Sequence, residues 1–231
     1  MGVASSLKRP LRPLKRRWVR SRKRRSLGSL APFVEQSERI AGWARGDEAA
    51  ELARVASSLP EGATIVEIGT FLGSSAVLLA GGRSVAGSGV LHCVDPFDGS
   101  GDDHSVPAYR EITDRLIGSI RVQFEYNLQR AEVLEFVVVH EGTAEQIGAT
   151  WSAPIDMLFL DGDQSPVGAR SAYEIWAPFV KPGGIVAAHN SADRAYSPDH
   201  DGHRRVAVEC LIAPHYTDVR CVGTTTFARK V

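Results

Sequence analysis

The chain has 231 residues, 43% of them hydrophobic, 23% charged and 7% aromatic, close to ordinary globular domains and far from disordered or fibrous compositions. One domain is expected, burying roughly 70% of its unfolded surface, and no stretch approaches the ~20 consecutive apolar residues of a membrane-spanning helix. Three cysteines without a CxxC pair, Cys93, Cys210 and Cys221, support neither a disulfide framework nor a cysteine zinc site; buried thiols in a reducing, cytoplasmic setting are expected.

The formal net charge of zero conceals two unlike parts. Residues 1–25 carry 11 Lys and Arg and no acid, and Pro10 and Pro13 interrupt them. Such an arm cannot bury enough apolar surface to fold alone and its self-repulsion extends it, so it is expected as a disordered segment able to contact anionic surfaces. It lacks the apolar core of a secretory signal. Residues 26–231 hold 27 acids against 16 bases and are expected to form the folded domain.

Residues 46–59 place Leu52, Val55, Ala56 and Leu59 on one helical face before Pro60-Glu61-Gly62, a helix with its stop. Residues 64–68 (TIVEI) then read as a short buried strand running into Gly69, and residues 74–81 as a helix. Strands follow at 90–95, 136–140, 155–161 and 184–189, with a helix at 169–180 between the last two. Residues 109–130 carry one long helical pattern with Ile112, Leu116, Ile120 and Phe124 along a face, which suits core packing or the subunit contact of a homo-oligomer. A helix at 204–212 and two β-rich stretches within 218–229 complete the chain. Apolar strands alternating with helices predict an α/β fold: a Rossmann-like, doubly wound, mostly parallel sheet with helices on both faces and a C-terminal β-hairpin at its edge.

In such sheets ligands sit outside the carboxyl ends of the strands. Those ends carry Gly69, Asp95, Glu141, Asp161 and His189. In the first turn, Glu67, Gly69 and Gly73 have ExGxxxG spacing, with Ser74 and Ser75 at the amino end of the next helix, where free N–H donors meet a polar ligand. Phe71 and Ser74 stand where a dinucleotide fingerprint needs glycines, and no GK[ST] follows for a P-loop. Asp95 closes the second strand, where an acid accepts both hydroxyls of a ribose. A nucleoside-type ligand is therefore expected. The polar stretches at 98–107 and 191–202 read as solvated lid loops.

The blocks VEIGTFLGSS, VDPFDGSG, IDMLFLDGDQS and FVKPGGIVAAHN resemble the class I S-adenosylmethionine-dependent methyltransferases, in particular the small-molecule O-methyltransferases of the macrocin and cephalosporin-pathway type. The resemblance implies that Glu67, Gly69, Thr70, Phe71, Gly73, Ser74 and Ser75 cradle the methionine end of S-adenosylmethionine. It places Asp95 at the ribose, Thr143 and Ala144 at the adenine, and Asp161 beneath the methyl donor. In metal-dependent relatives the strand-four acid and two residues after strand five bind Mg²⁺, which maps onto Asp161, His189 and Asn190. That trio offers one carboxylate, one imidazole and one amide oxygen, a set better suited to Mn²⁺ or Zn²⁺. Gln164, Pro166 and Asn190 depart from the family's His, Tyr and Asp. Methyl transfer to a hydroxyl also needs a proton acceptor, for which Asp163 is the first candidate and His189 the second. A catalytically silent cofactor-binding module whose arm docks to an anionic partner is the alternative that these departures leave open.

Overall fold

The computed structural model describes residues 26–231; the arm expected at 1–25 lies outside the described residues. Seven strands form one sheet: β1 Thr64–Ile68, β2 Val90–Asp95, β3 Val137–Glu141, β4 Ile155–Leu160, β5 Val180–Ala188, β6 Tyr216–Val222 and β7 Thr225–Lys230. Their order is β3-β2-β1-β4-β5-β7-β6. β1 to β5 are parallel, while β7 runs antiparallel to both β5 and β6. This is the Rossmann-like sheet with the C-terminal hairpin at its edge that the sequence pattern predicts.

The sheet is buried on both faces because alternate strand residues feed two cores. Ile65, Met157, Phe159 and Phe227 meet α1 Ala31–Ser37, α2 Gly46–Ser58, α3 Ser74–Ala86 and α5 Ile120–Arg130 on one side. Val66, Ile68, Leu158 and Leu160 meet α7 Pro166–Trp176 and α8 Gly202–Glu209 on the other. All six residues of β4 are buried, as expected for a central parallel strand covered on both faces.

Three local expectations are corrected. The single helix predicted over 109–130 is two, α4 Val106–Thr113 and α5. The chain breaks at Gly118, whose φ is +117°, and restarts at Ser119, whose hydroxyl accepts the Val122 N–H at 3.2 Å, an N-cap that the apolar periodicity hides. Helix α3 runs past Gly81 to Ala86. Gly81 and Gly82 are not a stop: a Cβ on Gly81 would overlap the Phe33 ring, and one on Gly82 would lie 2.6 Å from the Ala56 Cβ, so the pair lets α1 and α2 pack closely. Of the cysteines, only Cys93 is buried; Cys210 is half-buried and Cys221 exposed on the edge strand, where residues 217–221 all face solvent.

Candidate active site

The ladder hydrogen bonds continue past the strand ends and align the turns. Gly69 N–H donates to Val94 O at 2.9 Å, Gly142 N–H to Asp95 O at 3.1 Å, Asp161 N–H to Ile68 O at 2.9 Å and His189 N–H to Leu160 O at 3.0 Å. Above them lies a cavity of about 320 Å³ lined by Gly69, Thr70, Phe71, Ser74, Ser75, Asp95, Thr143, Ala144, Asp161, Asp163 and His189 among others, a size suited to a small-molecule ligand. The first turn presses against the fourth: Gly69 has φ +80°, and a Cβ there would lie 2.6 Å from Asp161 O. Only glycine satisfies both the left-handed backbone and the close approach. Gly73, with φ +85°, admits α3, and its Cβ would lie 2.9 Å from the Phe124 ring.

The sequence-predicted cradle residues are brought together, with one change of role. Asp95 Oδ2 accepts the N–H groups of Thr70 and Phe71 at 2.8 and 2.9 Å, and Oδ1 accepts that of Phe97 at 2.7 Å. A carboxylate has about four acceptor sites, so three are already used in shaping the first turn. The two-hydroxyl grip expected of Asp95 would need two free acceptor sites, and these bonds leave about one. Burial pushes its pKa above the ordinary value, and the three backbone donors work against that rise. Glu67, expected at the methionine end, lies close to the cradle residues Thr70 and Ser75. It is fully buried, accepts the Cys93 thiol at 3.5 Å through Oε2, and has no partner at Oε1. Burial raises its pKa to about 8.

Ser74 and Ser75 stand at the amino end of α3. The Ser74 hydroxyl is held by Arg45 Nη1 at 3.2 Å and by Ser37 Oγ at 3.1 Å, tying the α1–α2 connection to the cavity. Thr143 caps α6 Ala144–Gly148 through a reciprocal pair with Gln146, which fixes the turn after β3 at the cavity wall. At the rim, Trp43, Phe71 and Tyr109 pack their rings with centroids 5.0 to 5.9 Å apart.

The floor is acidic and buried. Asp161 is pushed up to about 7 by burial and by Glu48, with His189 opposing. His189 Nε2 lies 3.9 Å from Asp161 Oδ1 and has no hydrogen-bond partner, while Nδ1 is 2.7 Å from Glu48 Oε1. Glu48, in the first turn of α2, was not legible as a site residue: in the sequence it is one of several acids opening an amphipathic helix, and its partner lies 141 positions away. Asp163 occupies the rim. Its side chain is exposed and its Oδ1 accepts the Ser165 N–H at 2.8 Å, so the first candidate for proton acceptor lines the cavity mouth while His189 holds the deeper position.

Of the residues mapped to a metal, His189 Nε2 lies 3.9 Å from Asp161 Oδ1, and Asn190 donates to Gln164 Oε1 at 3.0 Å through its amide nitrogen, not its carbonyl oxygen. Among the described residues no group of three or more His, Cys, Asp or Glu is placed to hold an ion. The 98–107 and 191–202 loops are largely solvated as expected, but not at Asp102 and His200. Asp102 is 4% exposed and His200 8%. His200 Nδ1 meets Asp102 Oδ1 at 3.0 Å and the His104 and His200 rings pack at 4.5 Å, so the loops are clamped together over Gln164, whose N–H reaches Asp102 at 3.4 Å.

The chain matches solved structures with this fold. These include an O-methyltransferase of Streptomyces achromogenes involved in tomaymycin synthesis, in complex with S-adenosylmethionine (20% identity, 88% of this chain and 89% of that one, TM-score 0.57). Another is an O-methyltransferase of Bacillus cereus in complex with S-adenosylhomocysteine (20% identity, 79% and 80%, TM-score 0.54). At such identities the likeness is one of fold. The family model described as a methyltransferase domain matches residues 66–191, more than half the chain and every turn around the cavity from β1 to β5. The chain therefore belongs to the methyltransferase-domain family.

Proposed function

We propose that the protein transfers the methyl group of S-adenosylmethionine to a hydroxyl of a small molecule, a sugar or natural-product intermediate of the kind methylated by the macrocin and cephalosporin-pathway group. The observation that carries this reading is one cavity that joins a glycine-shaped first turn to a buried His189 whose Nε2 has no hydrogen-bond partner. Gly69 and the α3 amino end would receive the methionine portion, Asp95 one ribose hydroxyl, and Thr143 and Ala144 the adenine edge. S-adenosylmethionine supplies an activated methyl group when bound; the protein's part is to align the acceptor, exclude water and take its proton. The aromatic rim of Trp43, Phe71 and Tyr109 offers faces on which a sugar or aromatic ring can stack. No step is routed through a metal.

Calorimetry of the full chain with S-adenosylhomocysteine, followed by transfer of a labelled methyl group from S-adenosylmethionine to a panel of hydroxylated sugars and phenols, tests the reading. Binding of the thioether product and label on an acceptor oxygen are expected. Binding of NAD in its place, or label on nitrogen alone, would overturn it.

A further inference from the structure

We infer that Glu48 is the positioning residue for His189, holding the Nδ1–H so that Nε2, which has no hydrogen-bond partner in the protein, is left as the proton acceptor at the cavity floor. The inference rests on the methyl-transfer reading and concerns the same floor. Glu48 is 3% exposed, and a buried carboxylate is tolerated only when its oxygens are engaged. Four contacts do so: Thr224 N–H at 3.3 Å, Thr224 Oγ1 at 3.0 Å, Thr225 Oγ1, and His189 Nδ1 at 2.7 Å. A ring nitrogen at hydrogen-bond distance from a carboxylate carries the proton, which in a neutral imidazole leaves the other nitrogen bare. The alternative tautomer would strand Nδ1 against the Glu48 carboxylate and aim an N–H at Asp161 across 3.9 Å, too far for a hydrogen bond.

The charged and titratable groups facing the ring are Glu48 from α2, Asp161 from β4, Arg194 from the 191–202 loop and His203 from α8. His203 Nδ1–H donates to His189 O at 3.0 Å, fixing the backbone. In the transfer step His189 Nε2 takes the hydroxyl proton as the acceptor oxygen bonds to the methyl carbon. The carbon–sulfur bond breaks with its electron pair left on sulfur as a neutral thioether, and the imidazolium is flanked by Glu48 and Asp161. The arrangement couples the first helix of the site to the C-terminal hairpin, since Thr224 and Thr225 at the start of β7 hold the same carboxylate.

Long-range proton–nitrogen correlation spectra of the full chain labelled with ¹⁵N-histidine, bound to S-adenosylhomocysteine at alkaline pH, test this directly. His189, assigned by its loss in His189→Gln, should show a protonated Nδ1 and a bare Nε2. Glu48→Gln should shift the ring toward the Nε2–H tautomer, whereas Thr224→Ala, which weakens the hairpin anchor alone, should leave the tautomer unchanged. An Nε2–H ring in the wild type overturns the inference by itself, even where Glu48→Gln folds poorly; so does a folded Glu48→Gln with the wild-type tautomer. Calorimetric Zn²⁺ or Mn²⁺ binding that disappears in His189→Ala would also overturn it. Failure of the wild type to bind S-adenosylhomocysteine would defeat the methyl-transfer reading instead, and the tautomer of the unliganded chain would still decide the role of Glu48.

Discussion

Asp95 shows how a carboxylate at the edge of a cavity can shape the fold around it. Its bonds to Thr70, Phe71 and Phe97 N–H are hydrogen bonds to an ionisable acceptor, and losing them should cost about 2–4 kcal/mol of stability, since each is worth roughly 1.5–3 before the turn relaxes. Asp95→Ala should therefore lower the melting temperature as well as S-adenosylhomocysteine affinity. A variant with unchanged melting but lost binding would return Asp95 to a purely ligand-facing role. Glu67 gives a pH signature. Its folded pKa of about 8 lies above the unfolded carboxylate range, so its contribution is fully present below about pH 4.5 and is lost as pH rises through 8. Asp161, at about 7, acts in the same direction. Urea denaturation from pH 5 to 9 should show stability falling, and Glu67→Gln should flatten that fall; an identical slope in the variant would contradict the protonated state. For catalysis, His189→Ala should slow methyl transfer about 10²-fold or more, as loss of a general base does, and more than Asp163→Asn does. The reverse ranking on a common acceptor would restore Asp163 as the proton acceptor.

Among the elements, the α2–α3 contact depends on a buried cation. Arg83, fully buried on α3, donates to Ala56 O at 2.8 Å, Leu59 O at 3.2 Å, Pro60 O at 2.9 Å and Ser88 O at 2.8 Å. Three of these carbonyls sit at the carboxyl end of α2, where a cation also complements the helix dipole. Burial lowers the Arg83 pKa, with Asp156 opposing, yet the guanidinium stays charged. Arg83→Met should cost about 3 kcal/mol or more, because several buried acceptors lose their donor at once; guanidinium chloride unfolding checks it, and a change below about 1 kcal/mol would show the carbonyls find other partners. Since α2 carries Glu48, the same variant should disturb the site more than its distance from the cavity suggests.

At the scale of the molecule, the described residues close their own core. Leu27, Leu30 and Val34 are each under 8% exposed and join the cluster beneath α2 and α3. Removing residues 1–25, a basic stretch with few apolar side chains, should leave melting and S-adenosylhomocysteine binding nearly unchanged, whereas removal through residue 37 should lower the melting temperature by exposing that cluster. Differential scanning calorimetry of the two truncations separates the cases, and equal losses would make the arm part of the domain. Loss of salt-sensitive binding to an anionic vesicle or to RNA in the first truncation would assign the arm a partner. No helix among the described residues is long and apolar enough to cross a membrane.

What was legible in the sequence was local. Buried parallel strands announce themselves as apolar runs, and residues 64–68 and 90–95 were placed at the bounds the structure has, because period and turn residues act within a few positions. Gly69 and Gly73 could be read because a tight strand-to-helix turn needs glycine wherever it occurs. Other features were decided only when distant segments met. Asp102 and His200 are 98 positions apart, and nothing in either polar loop signals that the other will bury it. Gly81 and Gly82 look like a helix stop until α1 and α2 arrive to need the space. Glu48 is one more acid on an amphipathic helix until the fold carries His189, Thr224 and Thr225 to it. A side chain's protonation state depends on burial and on neighbours in space, and those are properties of the tertiary structure that no local pattern of residues encodes.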